Sequence, residues 1–274
     1  MTTRIAFIGG GNMATSLAGG LIAGGIEPAA ITIAEPDSDK RSALSRQFSV
    51  NTTADNLETL QHDVVVLSVK PQLMQTVCKQ LADSATNTNP LYVSIAAGIR
   101  TVDISRWLQR DAAIVRCMPN TPALIQCGAT ALYANPHVDA AQKQLADDIL
   151  RAAGITTWVT DEGLLDVVTA LSGSGPAYFF LLMEAMQKTA VNLGLDSDTA
   201  STLTLQTALG AARMANESGV NAGELRARVT SKGGTTAAAI ASFEHDDFHD
   251  SVRKALHAAY NRSRELADEL GKDN

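Results

Sequence analysis

Short β-branched apolar runs alternate with helical patterns along the first 160 residues of the chain. The runs are RIAFI (4–8), ITIAE (31–35), VVVLSV (64–69), LYVSIA (91–96), AIVRC (113–117), GATALY (128–133) and TTWV (156–159). Most are apolar at successive positions instead of every second one, as expected of strands covered on both faces. Helical stretches such as 139–152 (DAAQKQLADDILRA) separate several of them. The pattern predicts a doubly wound α/β domain with a mostly parallel sheet.

The texture changes after Val159. Thr160 is the predicted N-cap of DEGLLDVVTAL, with Asp161 and Glu162 complementing the helix dipole. Helical periodicity then covers 176–193, 198–217, 235–244 and 248–270, with no strand pattern among them. The expected organisation is this doubly wound α/β domain at 1–159 and an all-helical domain at 160–274, with no flexible linker. Phe179, Leu182, Met186 and Leu193 mark apolar helix faces in an alanine-rich half. That much apolar surface is a modest core alone, and pairing with a second copy is the natural way to cover it.

Composition narrows the function classes. With 274 residues there is room for two cores, and 45% hydrophobic against 19% charged residues is a globular balance. A net charge of −7 argues against a nucleic-acid surface, so a small anionic ligand needs a local positive site. Cys78, Cys117 and Cys127 lack metal or redox spacing and fit reduced thiols in the cytoplasm. A strand-like run starting at Arg4 leaves no room for an apolar leader, and the runs around 64–69 and 177–183 are too short for a bilayer. A soluble protein with no membrane partner is expected.

Chemistry enters at FIGGGNMA (7–14), where a strand gives way to a helix. Gly9, Gly11 and Ala14 form G-x-G-x-x-A: a tight turn, a close approach of backbone to a pyrophosphate, and close packing of helix on sheet. Free N–H groups at the helix start favour the phosphates. The second strand ends at Glu35, an acid placed to accept a ribose 2′-hydroxyl, yet Ser38, Lys40 and Arg41 follow and would suit a 2′-phosphate. NADPH and NADH therefore both stay open as cofactors. SVKPQ (68–72), SIAAGI (94–99) and RCMPNTP (116–122) follow later strands, and together they line the crevice where open α/β sheets bind ligands.

A second glycine- and hydroxyl-rich helix start, VTSKGGTTAAAI (229–240), lies far along the chain. Gly233 and Gly234 permit a backbone that presents consecutive N–H groups, and Ser231, Thr235 and Thr236 add hydroxyl donors. Read from its residues alone, it is either an ordinary helix start or an anion site.

With six segments in register, FIGGGNMA, VKP (69–71), SIAAGI, RCMPNTP, ALSGSGPAYFF (170–180) and VTSKGGTTAAAI, the chain resembles the pyrroline-5-carboxylate reductases nearly end to end. The resemblance implies reduction of the cyclic imine of Δ1-pyrroline-5-carboxylate to L-proline with NADPH or NADH, the last step of proline biosynthesis. It also implies a Rossmann-type dinucleotide-binding domain at 1–159, followed at 160–274 by an all-helical substrate-binding domain that intertwines with its dimer mate, and leaves larger assemblies open. By motif, the dinucleotide contacts fall on Gly9, Gly10, Gly11, Asn12, Met13, Ala14, Asn56, Ser68, Val69, Lys70 and Pro71. Ala96, Ala97, Met118 and Asn120 would flank the nicotinamide, and the substrate would meet Ser231, Gly234, Thr235 and Thr236. Thr236 is the catalytic candidate, bonding to the ring nitrogen to position it, since a threonine hydroxyl is a poor base. Lys232 stands where the family usually has proline, and Asn221-Ala222 where it often has His-Pro, which bears on the shape of the substrate loop.

Two other enzyme and binding classes share the layout. A β-hydroxyacid dehydrogenase needs a lysine near the start of the helix after Gly175, where the first one here is Lys188. A non-catalytic dinucleotide-binding regulator needs no such residue. His245 and His249 have metal-compatible spacing but sit among acids in a polar stretch, which reads as solvated, so no metal is expected.

Overall fold

The computed structural model of the chain describes residues 3–84 and 88–273. In chain order its main elements are β1 (Ile5–Ile8), α1 (Asn12–Ala23), β2 (Ile31–Ala34), α2 (Ser38–Phe48), β3 (Asn51–Thr53), β4 (Val64–Leu67), α3 (Met74–Ala82), β5 (Leu91–Ser94), α4 (Thr101–Leu108), β6 (Ile114–Met118), β7 (Gly128–Ala134), α5 (Ala140–Arg151) and β8 (Gly154–Trp158). Helices follow: α6 (Leu164–Val168), α7 (Gly175–Asn192), α8 (Ser197–Glu217), α9 (Ala222–Arg228), α10 (Thr235–His245) and α11 (Phe248–Leu270).

The strands form one sheet in the order β3-β2-β1-β4-β5-β6-β7-β8. All neighbours are parallel except β6 and β7. The exception follows from chain length: residues 119–127 are too few for a crossover, which takes a dozen or so, and the chain returns antiparallel. Ile8 pairs with Ala34 on one side and Leu67 on the other, so β1, β2 and β4 end level and their following loops meet at one edge.

Every residue of β1, β2, β4 and β5 is buried, because helices cover both faces. Leu17 and Leu21 of α1 with Ile149 and Leu150 of α5 pack one face. Met74 and Leu81 of α3 with Ile104 and Trp107 of α4 pack the other. Each such side chain contributes about 1.5–3 kcal/mol on burial. Gly20 lets α1 approach the end of α5, since a Cβ there would come within 2.1 Å of the Ala152 carbonyl oxygen. β3 was not evident in the sequence: its NTT is short, polar and at the sheet edge, and it is held by pairing to β2.

The chain forms two compact units, one of residues up to Ser174 together with those from Ala259 onward, the other Gly175–Ala258. Packing thus divides the chain later than the change in sequence texture at residue 160. α6 lies with the sheet, where Leu165 and Asp166 are buried, and the end of α11 returns to the same unit, where Ser263 Oγ donates to Asp166 at 2.7 Å.

Two sequence expectations are corrected here. Thr160 does not cap a helix: α6 begins at Leu164 with Gly163 in the N-cap position, after a turn in which Asp161 Oδ1 accepts from Gly163 N at 2.7 Å. Glu162 does not serve that dipole either, because its carboxylate is taken by Thr101 and Arg116. The second concerns apolar length. A π-helical turn at Thr169–Gly173 joins α6 to α7, and the run Leu164–Asn192 is one helix long and apolar enough to cross a membrane by length and composition. Its glycines, at 173 and 175, interrupt the apolar pattern in the sequence.

The second unit holds little core of its own. Gly175 is the one buried residue of α7, and α9 and α10 bury none. Phe179, Phe180, Leu181 and Leu193 are all more than 60% exposed.

Candidate functional site

The glycine loop sits at the carboxyl ends of the neighbouring strands β1 and β4, between which the strand order reverses. Gly9 adopts φ +100°, and a Cβ on it would stand 2.8 Å from the Ser68 carbonyl oxygen. Ser68 Oγ closes the loop from the β4 side, donating to the carbonyls of Ile8 and Gly9 at 2.8 Å each. Gly11 is the N-cap of α1 and supplies no side-chain cap. A Cβ on Gly11 would meet nothing within 4 Å, and Gly11 and Asn12 are exposed at the start of the helix. An uncapped helix start behind an open glycine is a fitting cradle for a dinucleotide's phosphates.

Glu35 is buried and its carboxylate is occupied. Oε2 accepts from Gly10 N at 3.0 Å and Oε1 from Asp37 N at 3.2 Å. Arg41 Nη1 donates to the carbonyls of Glu35 and Pro36 at 2.7 and 2.8 Å, which fixes the guanidinium at this loop. Ser38 and Lys40 open α2, whose cap is Asp37; its carboxyl is held below the ordinary range by hydrogen bonds from the Lys40 and Asp39 amides.

Val69, Lys70 and Pro71 continue from Ser68 into a 3-10 turn, with Lys70 exposed. Asn56 lies in the turn after β3, where its Nδ2 donates to Gln80 Oε1 at 2.9 Å. Ala96 is buried and Ala97 exposed in the loop after β5, ahead of Gly98 at φ +74°. Against Gly98 pack Leu270 and the backbone of Leu266 and Ala267 at the end of α11.

Met118, the last residue of β6, and Asn120 just after it engage the π turn. A Cβ on Gly173 would lie 2.5 Å from the Met118 methyl. Asn120 Nδ2 donates to Ser172 O at 3.0 Å, and its Oδ1 accepts from Ala129 N at 2.9 Å. π turns are rare and frequently mark functional positions.

Sequence reasoning missed three residues here. Arg116, 4% exposed, pairs with Glu162 at 3.1 Å. The Glu162 carboxylate also accepts from Thr101 N and Thr101 Oγ1, both at 2.8 Å. An arginine inside the buried run AIVRC was the available signal, because a buried charge implies a partner.

In the other unit, Gly233 takes φ +75° and Gly234 is the N-cap of α10, again without a side-chain cap. The Gly234 amide donates to Ser231 O at 3.0 Å and is thereby committed to the turn. The amides of Thr235, Thr236 and Ala237 begin the helix, and Ser231, Lys232 and Thr235 are exposed. Lys188 forms an ion pair with Glu184 one turn back on α7. Among the described residues no group of three His, Cys, Asp or Glu side chains is gathered for a metal.

Comparisons with known proteins agree across both halves. Residues 162–266 match the family model described as pyrroline-5-carboxylate reductase dimerisation, and residues 4–98 match the one described as NADP oxidoreductase coenzyme F420-dependent. A pyrroline-5-carboxylate reductase of Pseudomonas aeruginosa is 54% identical, the match covering 98% of this chain and 99% of that protein. The solved pyrroline-5-carboxylate reductase of Coxiella burnetii is 47% identical with a TM-score of 0.93, over 97% of this chain and 99% of that one. A pyrroline carboxylate reductase of Plasmodium falciparum, solved with NADP bound, is 28% identical with a TM-score of 0.84, over 97% and 98%.

Proposed function

The chain belongs to the pyrroline-5-carboxylate reductase family and as such reduces Δ1-pyrroline-5-carboxylate to L-proline with a reduced nicotinamide cofactor; we propose here how its own residues do so. One observation carries the reading: the chain presents two helix starts without side-chain caps behind glycines, one for a dinucleotide and one for a carboxylate.

Gly9 to Ala14 would hold the pyrophosphate, and Ser68 to Pro71 would flank it. When bound, the cofactor supplies hydride. The amides of Thr235 and Thr236 with Ser231 Oγ take the substrate carboxylate. A hydrogen bond to a charged group contributes about 1.5–3 kcal/mol, so two or three provide micromolar-to-millimolar binding with no arginine clamp. Thr236 Oγ1 bonds to the ring nitrogen and orients the ring. The iminium form of the substrate carries its own proton and is electrophilic at carbon, so the chain's task is alignment and exclusion of water.

NADPH is the preferred cofactor in this reading. Both Glu35 carboxylate oxygens are occupied by loop amides, which removes the usual acceptor for a ribose 2′-hydroxyl, while Arg41 is anchored beside it with Lys40 close in sequence. The second unit pairs with another copy of the chain, supported by its exposed apolar side chains and its match to a dimerisation model. The same pairing accounts for the apolar α6–α7 run without a membrane. A biosynthetic role and the free thiols Cys78 and Cys117 support the reading of a cytoplasmic protein.

The test is oxidation of NADPH with and without Δ1-pyrroline-5-carboxylate, with L-proline identified as product. Imine-independent oxidation, or none, defeats the reading.

A further inference from the structure

We propose that Glu162 is a positioning residue that sets, through one carboxylate, the two loops facing the nicotinamide. The inference rests on the reading that Ala96, Ala97, Met118 and Asn120 flank that ring.

The geometry converges on this side chain from three directions. Thr101, whose amide and hydroxyl both donate to Glu162, is the first residue of α4 and stands three positions after Gly98 of the Ala96–Ala97–Gly98 loop. Arg100, in the N-cap position of α4, provides no side-chain cap, so Glu162 does that work from 61 residues away. Arg116, which also donates to Glu162, lies two residues before Met118 on β6. The segment that carries Glu162 is tied down four residues on, where Asp166 accepts from Ser263 Oγ at 2.7 Å. Beyond it, the same helical run reaches Ser172 and Gly173, which meet Asn120 and Met118.

A largely desolvated ion pair is a poor way to gain stability, because desolvation offsets most of the attraction. Here it gains register. Guanidinium, amide and hydroxyl all bind one carboxylate of fixed shape, so the loop after β5 and the end of β6 cannot shift independently. The adenosine half of the cofactor, by contrast, faces the glycine loop and α2, which Glu162 does not touch.

That asymmetry supplies the experiment. Binding of NADPH and of adenosine 2′,5′-bisphosphate, which lacks the nicotinamide, is measured by calorimetry for the wild-type protein, Glu162→Gln and Thr101→Val. Glu162→Gln should weaken NADPH about tenfold and the bisphosphate less than about twofold, and Thr101→Val should show the same selectivity at about threefold. kcat should fall with NADPH affinity. Equal weakening of both ligands, which a merely structural role produces, overturns the proposal, as does unchanged NADPH binding. Should Glu162→Gln not fold, Thr101→Val, which removes one hydroxyl, decides by the same criterion. A wild-type protein that binds NADPH no tighter than the bisphosphate overturns the underlying nicotinamide reading, and this inference with it.

Discussion

Met118 and Gly173 fit together because one of them has no side chain: a Cβ at Gly173 would stand 2.5 Å from the Met118 methyl. The contact joins the end of β6 to the π turn, and its near atom is the far end of a flexible chain. Gly173→Ala is therefore expected to cost less than about 1 kcal/mol, since a methionine tip moves easily. The displaced methyl should nevertheless raise KM for NADPH several-fold, by analogy with small misplacements at reacting centres. Thermal unfolding beside steady-state kinetics checks both halves, and unchanged KM would detach Met118 from the cofactor.

On the proposed role of Thr236 in orienting the substrate ring, Thr236→Ala should lose turnover by about 10²-fold with cofactor affinity nearly unchanged. Thr236→Ser should retain most of the activity. Wild-type kcat in Thr236→Ala would refute the assigned role.

Arg41→Ala tests cofactor choice. The guanidinium is held at the Glu35–Pro36 turn, and its loss should reduce kcat/KM for NADPH about 10–100-fold while leaving NADH within about threefold. Parallel kinetics with the two cofactors give the answer. Equal losses would mean that Arg41 braces the loop and reads no phosphate.

Gly20→Ala is expected to destabilise the protein by about 2 kcal/mol or more, because the new Cβ would lie 2.1 Å from a backbone oxygen, Ala152 O, that no rotamer change can move. Chemical denaturation measures it. A neutral result would show that α1 and α5 slide apart freely.

His62 predicts an acid limb of stability. Burial is the main influence and holds the imidazole below its ordinary 6.5, partly opposed by the hydrogen bond to the Thr59 carbonyl. Its Nε2 lies 2.9 Å from Thr32 Oγ1. The folded protein prefers neutral His62, so this contribution is whole above pH 6.5 and is lost as pH falls through the lower folded value. Denaturation midpoints from pH 7 down to about 5 should fall more steeply for wild type than for His62→Gln. Parallel slopes would exclude His62 as the source.

Much of the architecture was legible in the chain because its signals are local. Runs such as VVVL and IAFI are apolar at every position, and only a strand covered on both faces needs that. The helices at 197–217 and 248–270 were visible from periodicity, and G-x-G-x-x-A marked the turn at Gly9 because a positive φ there excludes other residues. Where structure is enforced from a distance, the reading failed. β3 exists through its pairing with β2, and Thr160 lost its capping role to a turn at Asp161–Gly163.

The candidate site divides along the same line. Residues 9–14 and 231–236 were recognisable as helix starts able to receive anions, since glycine freedom and exposed amides belong to consecutive residues. The occupation of Glu35 by Gly10, the commitment of the Gly234 amide to Ser231, and above all the joining of Arg116, Thr101 and Glu162 were decided by folding. Backbone preference and hydrophobic period act over a few residues and are written in order along the chain. A carboxylate that binds an arginine 46 residues away and a threonine 61 residues away acquires its partners only when the sheet brings their strand ends level.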